Sequence, residues 1–252
     1  MKLNILGKRA LITGAGAGIG AGIARVLAEE GVALVLSARS AEGVNRVADS
    51  LASKVDLRPA VILADLTKQN DINDLFKSAN NMLGGIDVLI NCAGGSRPLA
   101  LQASEDEWNE AFMLNFTSSR LLTQHVLPAM LDQHWGRIIN ITGAMEPRSL
   151  NGANTAKGAL HLWSKGISCD VASRGVTVNC IAPGRINSTQ ILKKLHPTQE
   201  ARDTFIKQNI PAGKFGEPED IGHLVGFLCS PLAHYITGAV IPVDGGMHYF
   251  AH

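Results

Sequence analysis

Between Thr13 and Gly20 the chain reads Thr13-Gly14-Ala15-Gly16-Ala17-Gly18-Ile19-Gly20, followed by an amphipathic stretch carrying Ile23, Val26 and Leu27. Positions without side chains at such a turn let the backbone approach a pyrophosphate. The free N–H groups and dipole of the following helix then stabilise its charge. This order of apolar run, glycine turn and helix predicts dinucleotide binding, with Gly14, Gly16, Ala17, Gly18 and Ile19 around the phosphates. About 20 residues on, where a carboxylate often holds the ribose hydroxyls of NAD, stand Ala38 and Arg39. A missing carboxylate removes repulsion against a 2′-phosphate, and a guanidinium can pair with that group in a bidentate way. NADP(H) is therefore favoured over NAD(H).

Positioning that turn requires a strand before it and a repeating framework around it. Short apolar runs recur at Ala10–Thr13, Val32–Ser37, Ala60–Ala64, Val88–Asn91, Ile138–Thr142, Val176–Ile181 and Ala239–Val243, and read as buried strands. Segments of helical period lie between them, among them Ile19–Glu30, Asp71–Leu83, Glu105–Leu131, Lys157–Ser173 and Pro218–Cys229. Strand alternating with helix predicts an α/β fold, a doubly wound parallel sheet of about seven strands with helices on both faces. No linker or repeat interrupts the pattern, so residues 1–252 read as a single domain. The one long irregular stretch, 183–218 with a short helix near Glu200, reads as a substrate loop or lid.

Composition narrows the function classes. The 23 Lys and Arg nearly balance 22 Asp and Glu with no single-sign block, so electrostatics suggests neither nucleic acid nor membrane as a partner. The cysteines Cys92, Cys169, Cys180 and Cys229 are widely spaced without a C-x-x-C pair, which indicates neither a zinc site nor a disulfide framework. The N-terminal apolar stretch is too short for a signal peptide, and no run of apolar residues reaches the ~18 of a membrane span. A cytoplasmic protein is the expectation.

The T-G-x-x-x-G-x-G spacing of the turn resembles the short-chain dehydrogenase/reductase family, and in particular its 3-oxoacyl-acyl-carrier-protein-reductase-like members. Further landmarks run through nearly the whole chain. Asp65-Leu66 looks like the family's adenine contact. Asn91-Cys92-Ala93-Gly94 resembles its N-N-A-G sequence, departing at Cys92. Asn115 matches its active-site asparagine. Pro183-Gly184, with Ile186, Ser188 and Thr189, resembles the segment that touches the nicotinamide carboxamide. Ile236-Thr237-Gly238 and Val243-Asp244-Gly245-Gly246 resemble its last strand. The resemblance implies a Rossmann-type fold, hydride transfer between nicotinamide and a carbonyl or alcohol carbon, and a homodimer or homotetramer. The apolar stripe Leu160, Trp163, Ile167 and Val171 reads as packing on the sheet or on a partner helix.

Where that family places a catalytic tyrosine, four residues before an active-site lysine, this chain departs from the pattern. Lys157 matches the lysine, and Ala153 stands one helical turn before it. The only tyrosines are Tyr235 and Tyr249, both beyond that helix. Thr142-Gly143 stands where the family commonly has Ser-Ser, which puts Gly143 in the place of the serine that polarises the carbonyl. Lys157 and Asn115 persist, and Thr142 is a tentative hydroxyl. Glu146, Ser149, Thr155, His161 or an ordered water are other candidates for proton transfer. Glu146 reads more plainly as a solvated loop residue, and His161 sits a turn away from the expected nicotinamide.

Arg97, Arg148 and Arg185 follow the fourth, fifth and sixth strands at the edge where ligands of such sheets bind. They suit an anionic substrate group, although solvated loop arginines are the plainer reading. The leading expectation is an NADP(H)-dependent oxidoreductase acting on a small carbonyl or hydroxyl compound. The alternatives are a dinucleotide-binding regulatory or structural protein with little turnover, and a lyase or isomerase without net hydride transfer.

Overall fold

The computed structural model describes residues 2–53, 58–143, 146–188 and 195–249. Seven strands, β1 (Arg9–Thr13), β2 (Ala33–Ala38), β3 (Ala60–Leu63), β4 (Val88–Asn91), β5 (Gly136–Ile141), β6 (Val176–Pro183) and β7 (Val240–Val243), form one sheet in the order β3-β2-β1-β4-β5-β6-β7. Every pairing is parallel. Successive side chains of a strand point to opposite faces, so β1 sends Ala10 and Ile12 into one hydrophobic core and Leu11 into the other. The first core is completed by α1 (Gly18–Glu29), α2 (Ala41–Ala52) and α8 (Pro218–Cys229). The second is completed by α3 (Gln69–Leu83), α5 (Ser118–Asp132) and the end of α6 (Gly152–Val171). Burial on both faces is why β5 and β6 have no exposed position, and why continuous apolar runs mark these strands.

Helix α2 is absent from the helical segments that the pattern above singles out. Val44, Val47, Ala48 and Leu51 bury its inner face at helical spacing, and the Ser40 hydroxyl caps it by accepting from Gly43 N at 3.4 Å. The expected long helix over 105–131 is present as one continuous helical run, divided into α4 (Glu105–Phe112), a π-turn over Met113–Thr117, and α5. Helix α6 starts at Gly152 rather than Lys157, because Asn151 Oδ1 caps it by accepting from Ala153 N at 3.0 Å. The short helix near Glu200 is α7 (Gln199–Asn209). Helices α1 and α8 cross closely: a Cβ on Gly222 would come within 2.8 Å of Val26 Cγ2 and 3.0 Å of Gly22 O.

The chain reverses its direction across the sheet at β1, which lies between β2 and β4. In open α/β sheets the crevice outside the carboxyl ends of the strands at such a switch point is the ligand site. No helix among the described residues is long and apolar enough to cross a membrane.

Candidate functional site

A cleft of about 790 Å³ opens at that edge, walled on one side by the glycine turn and start of α1, and on the other by the ends of β5, β6 and β7. Thr13 fixes the turn against β4, its hydroxyl donating to Ile90 O and accepting from Cys92 N and Ala93 N at 3.1 Å each. Gly14 has φ +67°, and a Cβ there would stand 2.8 Å from Ala93 Cα and N. That glycine is required first by the approach of two strands. Gly16 serves a similar end, with Ala38 Cβ and Val44 N each 3.3 Å from its Cβ position. Helix α1 has no side-chain cap at Ala17 and no acidic residue in its first turn. Its first N–H groups therefore face the cleft with no side-chain acceptor from the cap, as an anion requires. Gly14, Ala17, Gly18 and Ile19 line the cleft, and Ser188 Cβ lies 3.3 Å from the Cβ position of Gly18. These residues fit the pyrophosphate of a dinucleotide.

The opposite wall carries Lys157, whose Nζ donates to Thr142 O at 2.9 Å and lies 3.5 Å from the Cβ position of Gly94. Burial pushes the Lys157 ammonium below the usual lysine range. Burial likewise raises the Cys92 thiol to about 12, so that group stays protonated and supplies no counter-charge. Ala153 is buried one turn before Lys157 and lines the cleft. A Cβ on Gly143 would meet nothing nearer than Lys157 Cδ at 3.8 Å.

Thr142 lies beneath Lys157, and its hydroxyl is engaged on two sides. Its hydroxyl donates to Ile181 O at 3.0 Å and accepts from His161 Nε2 at 2.7 Å. When the hydroxyl proton is directed to Ile181 O, none is left for a substrate, and His161 then carries its proton on Nε2. Burial, and then the Lys157 charge, hold the His161 imidazole below its usual range and keep it neutral. Asn115 sits in the π-turn, where Oδ1 accepts from Gly95 N at 3.0 Å and Nδ2 donates to Ala111 O at 2.9 Å. It supports the Gly94-Gly95 wall from behind.

Other expected residues stand away from the cleft. Asn91 turns its amide into the sheet, donating to Asn140 Oδ1 at 2.8 Å, and Asn140 donates in turn to Ser164 Oγ. Asp65 is held by Thr67 N and Thr67 Oγ1, contacts that lower its carboxyl below the usual range, with a smaller contribution from Arg39. Leu66 is buried in the second core, and Arg39 is exposed after β2. Ala93, Gly94, Pro183, Gly184, Ile186 and Ser188 do line the cleft, whereas Thr189 lies outside the described residues.

Two features of the cleft have no signal in sequence spacing. The chain after β7 returns across it: Tyr249 N donates to Glu146 Oε1 at 2.8 Å, and Arg148 Nη2 donates to Tyr249 Oη at 2.9 Å. Asn151 joins the loops after β4 and β5, binding Arg97 N and Ser96 Oγ while it caps α6. Arg97 itself is committed to Glu110 through a two-pronged ion pair, Nε to Oε2 at 2.6 Å and Nη2 to Oε1 at 2.7 Å.

Residues 14–248 match the enoyl-(acyl carrier protein) reductase family. The 3-oxoacyl-[acyl-carrier-protein] reductase of Aquifex aeolicus is 37% identical over 253 residues, covering 98% of this chain and all of the relative. Among solved structures, L-sorbose reductase from Gluconobacter frateurii, complexed with NADPH and L-sorbose, superposes with a TM-score of 0.93 at 29% identity, covering 99% of this chain and 100% of the other. A 7α-hydroxysteroid dehydrogenase complexed with NADH and 7-oxo glycochenodeoxycholic acid gives 0.90 at 32% identity, covering 100% and 98%.

Proposed function

Because this chain belongs to the short-chain dehydrogenase/reductase family, we propose that it is an NADP(H)-dependent oxidoreductase. It interconverts a small carbonyl compound and its alcohol, with a proton donor other than tyrosine. The reading rests on one observation: a single cleft joins an uncapped, glycine-flanked helix N-terminus to a desolvated ammonium that has only one protein acceptor among the described residues. Gly14, Gly16, Ala17, Gly18 and Ile19 would hold the pyrophosphate, and Arg39 the 2′-phosphate. Asp65 and Leu66 would take the adenine end, over the strand that Asn91 anchors. Ala93, Gly94, Pro183, Gly184, Ile186 and Ser188 would flank the nicotinamide half. When bound, that cofactor supplies or accepts the hydride.

Lys157 does the protein's part of the chemistry. With Thr142 O taking one of its three N–H bonds, two remain for the nicotinamide ribose and the substrate oxygen. Burial makes the ammonium a stronger acid than an ordinary lysine. It can therefore hand a proton to the oxygen of a reduced carbonyl where Ala153 leaves room. Thr142 and His161 position Lys157, and Asn115 positions the wall facing it. NADPH in the sorbose reductase complex supports the choice of cofactor, and Arg39 supports it within this chain. A dinucleotide-binding protein with little turnover is the reading that Ala153 and Gly143 favour.

We further read residues 1–252 as one cytoplasmic domain that assembles as a homodimer or homotetramer through α5 and α6. Leu162 is exposed there beside Trp163, and residues 183–218, of which 189–194 lie outside the described residues, are read as a substrate loop. Titration with NADPH and NADH, followed by nicotinamide fluorescence, tests binding, and failure of both sinks the two readings together. A panel of carbonyl and alcohol compounds monitored at the nicotinamide absorbance then separates them, with Lys157→Met as the control that must abolish turnover.

A further inference from the structure

Three arginines stand at the carboxyl edge of the sheet, and the structure separates them. Arg97 is paired with Glu110 and Arg148 with the Tyr249 hydroxyl. Arg185 has neither kind of partner among the described residues. It follows Gly184 at the end of β6, where Gly184 N donates to Val243 O at 3.0 Å and Gly216 N donates to Arg185 O at 2.9 Å, so its backbone is held from both sides. Its guanidinium lies 5.0 Å from the centre of the Phe205 ring on α7, and its Nε is sealed from solvent with no acceptor. Both residues line the cleft.

Among the described residues no carboxylate forms an ion pair with Arg185, and its neighbours on the Phe205 side are basic. His196 packs at a tilt against the same Phe205 ring at 4.5 Å, its Nε2 is also buried without a partner among the described residues, and Arg202 Nη1 donates to His196 O at 2.9 Å. The carboxylates that line the cleft, Glu146 and Asp244, are engaged elsewhere. Glu146 accepts from Tyr249 N, and Asp244 accepts from Gly246 N, His248 N and His248 Nδ1. A half-buried guanidinium whose Nε is sealed without an acceptor is unfavourable in the free protein, and one lining a ligand cleft is the arrangement expected when the ligand brings the anion. The phosphates of a dinucleotide belong to the opposite wall at α1, so the charge facing Arg185 belongs to the other ligand.

We propose that the substrate carries a carboxylate or a phosphate and that Arg185, resting on Phe205, receives it. The anion site stands on its own geometry. Its assignment to a carbonyl or hydroxyl substrate rests on the oxidoreductase reading above. Arg185 is a specificity-determining residue, since two oxygens of a carboxylate or a phosphate accept parallel N–H bonds from a guanidinium and a neutral group cannot compensate it.

Wild type, Arg185→Met and Arg185→Lys are compared with saturating NADPH on matched pairs: succinic semialdehyde with butanal, acetoacetate with methyl acetoacetate, and dihydroxyacetone phosphate with dihydroxyacetone. In wild type the anionic member of at least one pair is expected to be preferred by about tenfold or more in kcat/KM, the scale of a charge-assisted pair. That ratio falls at least tenfold in Arg185→Met and is partly retained in Arg185→Lys. The pair that responds distinguishes carboxylate from phosphate. A ratio near one in wild type, or one that Arg185→Met leaves intact, overturns the proposal. Calorimetric titration of succinate and of inorganic phosphate, with and without NADPH, needs no turnover. Binding lost in Arg185→Met supports the anion site even if no carbonyl is reduced, while turnover of neutral carbonyls with no anion binding overturns the site and leaves the oxidoreductase reading standing.

Discussion

Replacing Ala153 with tyrosine tests the reading of the site most directly. Ala153 lies one helical turn before Lys157, so a phenol there reaches toward the same part of the cleft as the ammonium. A positioned general acid contributes about 10²- to 10⁴-fold. The lower end applies, because the Thr142 hydroxyl is committed to Ile181 O and Gly143 offers nothing to polarise the carbonyl. Carbonyl reduction by Ala153→Tyr should therefore rise by about 10²-fold in kcat, equivalent to about 2.7 kcal/mol of barrier. Adding Gly143→Ser should raise it further, since that position has space beside Lys157 Cδ. The assay is NADPH oxidation against the carbonyl panel, with cofactor affinity and thermal midpoint measured alongside. Unchanged reduction in a variant that folds and binds NADPH as wild type does would refute the claim that Lys157 faces the reacting oxygen. A gain that survives Lys157→Met would refute it equally.

Three further outcomes follow from the geometry. If Lys157 donates the proton, kcat/KM for reduction falls as pH rises through a pKa that burial places below the ordinary lysine value of about 10.4. A profile that shows no such fall removes Lys157 as the donor. Ala38→Asp places a carboxylate beside Gly16 and Arg39, so the ratio of NADPH to NADH efficiency should drop by at least about tenfold, and an unchanged ratio would show that Arg39 does not read the 2′-phosphate. At the other end of the sheet, burial opposes ionisation of Asp87, but the side-chain and backbone hydrogen bonds of Arg9 outweigh it and hold the carboxyl below the usual range. A depressed folded-state pKa contributes stability that is present above the unfolded value of about 3.9 and is lost as pH falls through the folded one. Asp87→Asn should lower stability near neutral pH by about 2 kcal/mol, read by urea melts, and should weaken its fall in acid. Equal melts would show the pair to be inert.

The strands were legible because both faces of the sheet are covered, which forces continuous apolar runs such as Val88–Asn91 and Val176–Ile181. Helix α2 was less legible: Ser40 caps it and Val44, Val47, Ala48 and Leu51 stand at helical spacing, but its charged and small residues dilute the pattern between them. The start of α6 was not legible. Its cap, Asn151, is chosen by a tertiary contact, since the oxygen that accepts from Ala153 N also accepts from Arg97 N, 54 residues away. The π-turn at Met113–Thr117 was likewise not legible; it carries Asn115, whose Oδ1 accepts from Gly95 N.

For the site, spacing on one helix was enough to place Ala153, Lys157 and His161 together, because residues four apart share a helix face. Spacing cannot tell which hydrogen bonds those side chains make. Thr142 read as a spare hydroxyl, yet His161 and Ile181 O occupy it, which turns a candidate donor into a support. Sequence order also separated Tyr249 from the active-site helix, whereas the chain after β7 brings its hydroxyl to Arg148 in the cleft. The arginines sort by the same logic. Arg97 and Arg185 are indistinguishable as loop residues after a strand, and only the neighbours differ: Glu110 neutralises the first, while Phe205 covers the second without neutralising it. Charge that the fold leaves uncompensated inside a cleft must be compensated by what enters, so the ligand preference of this protein lies in the partner that Arg185 lacks.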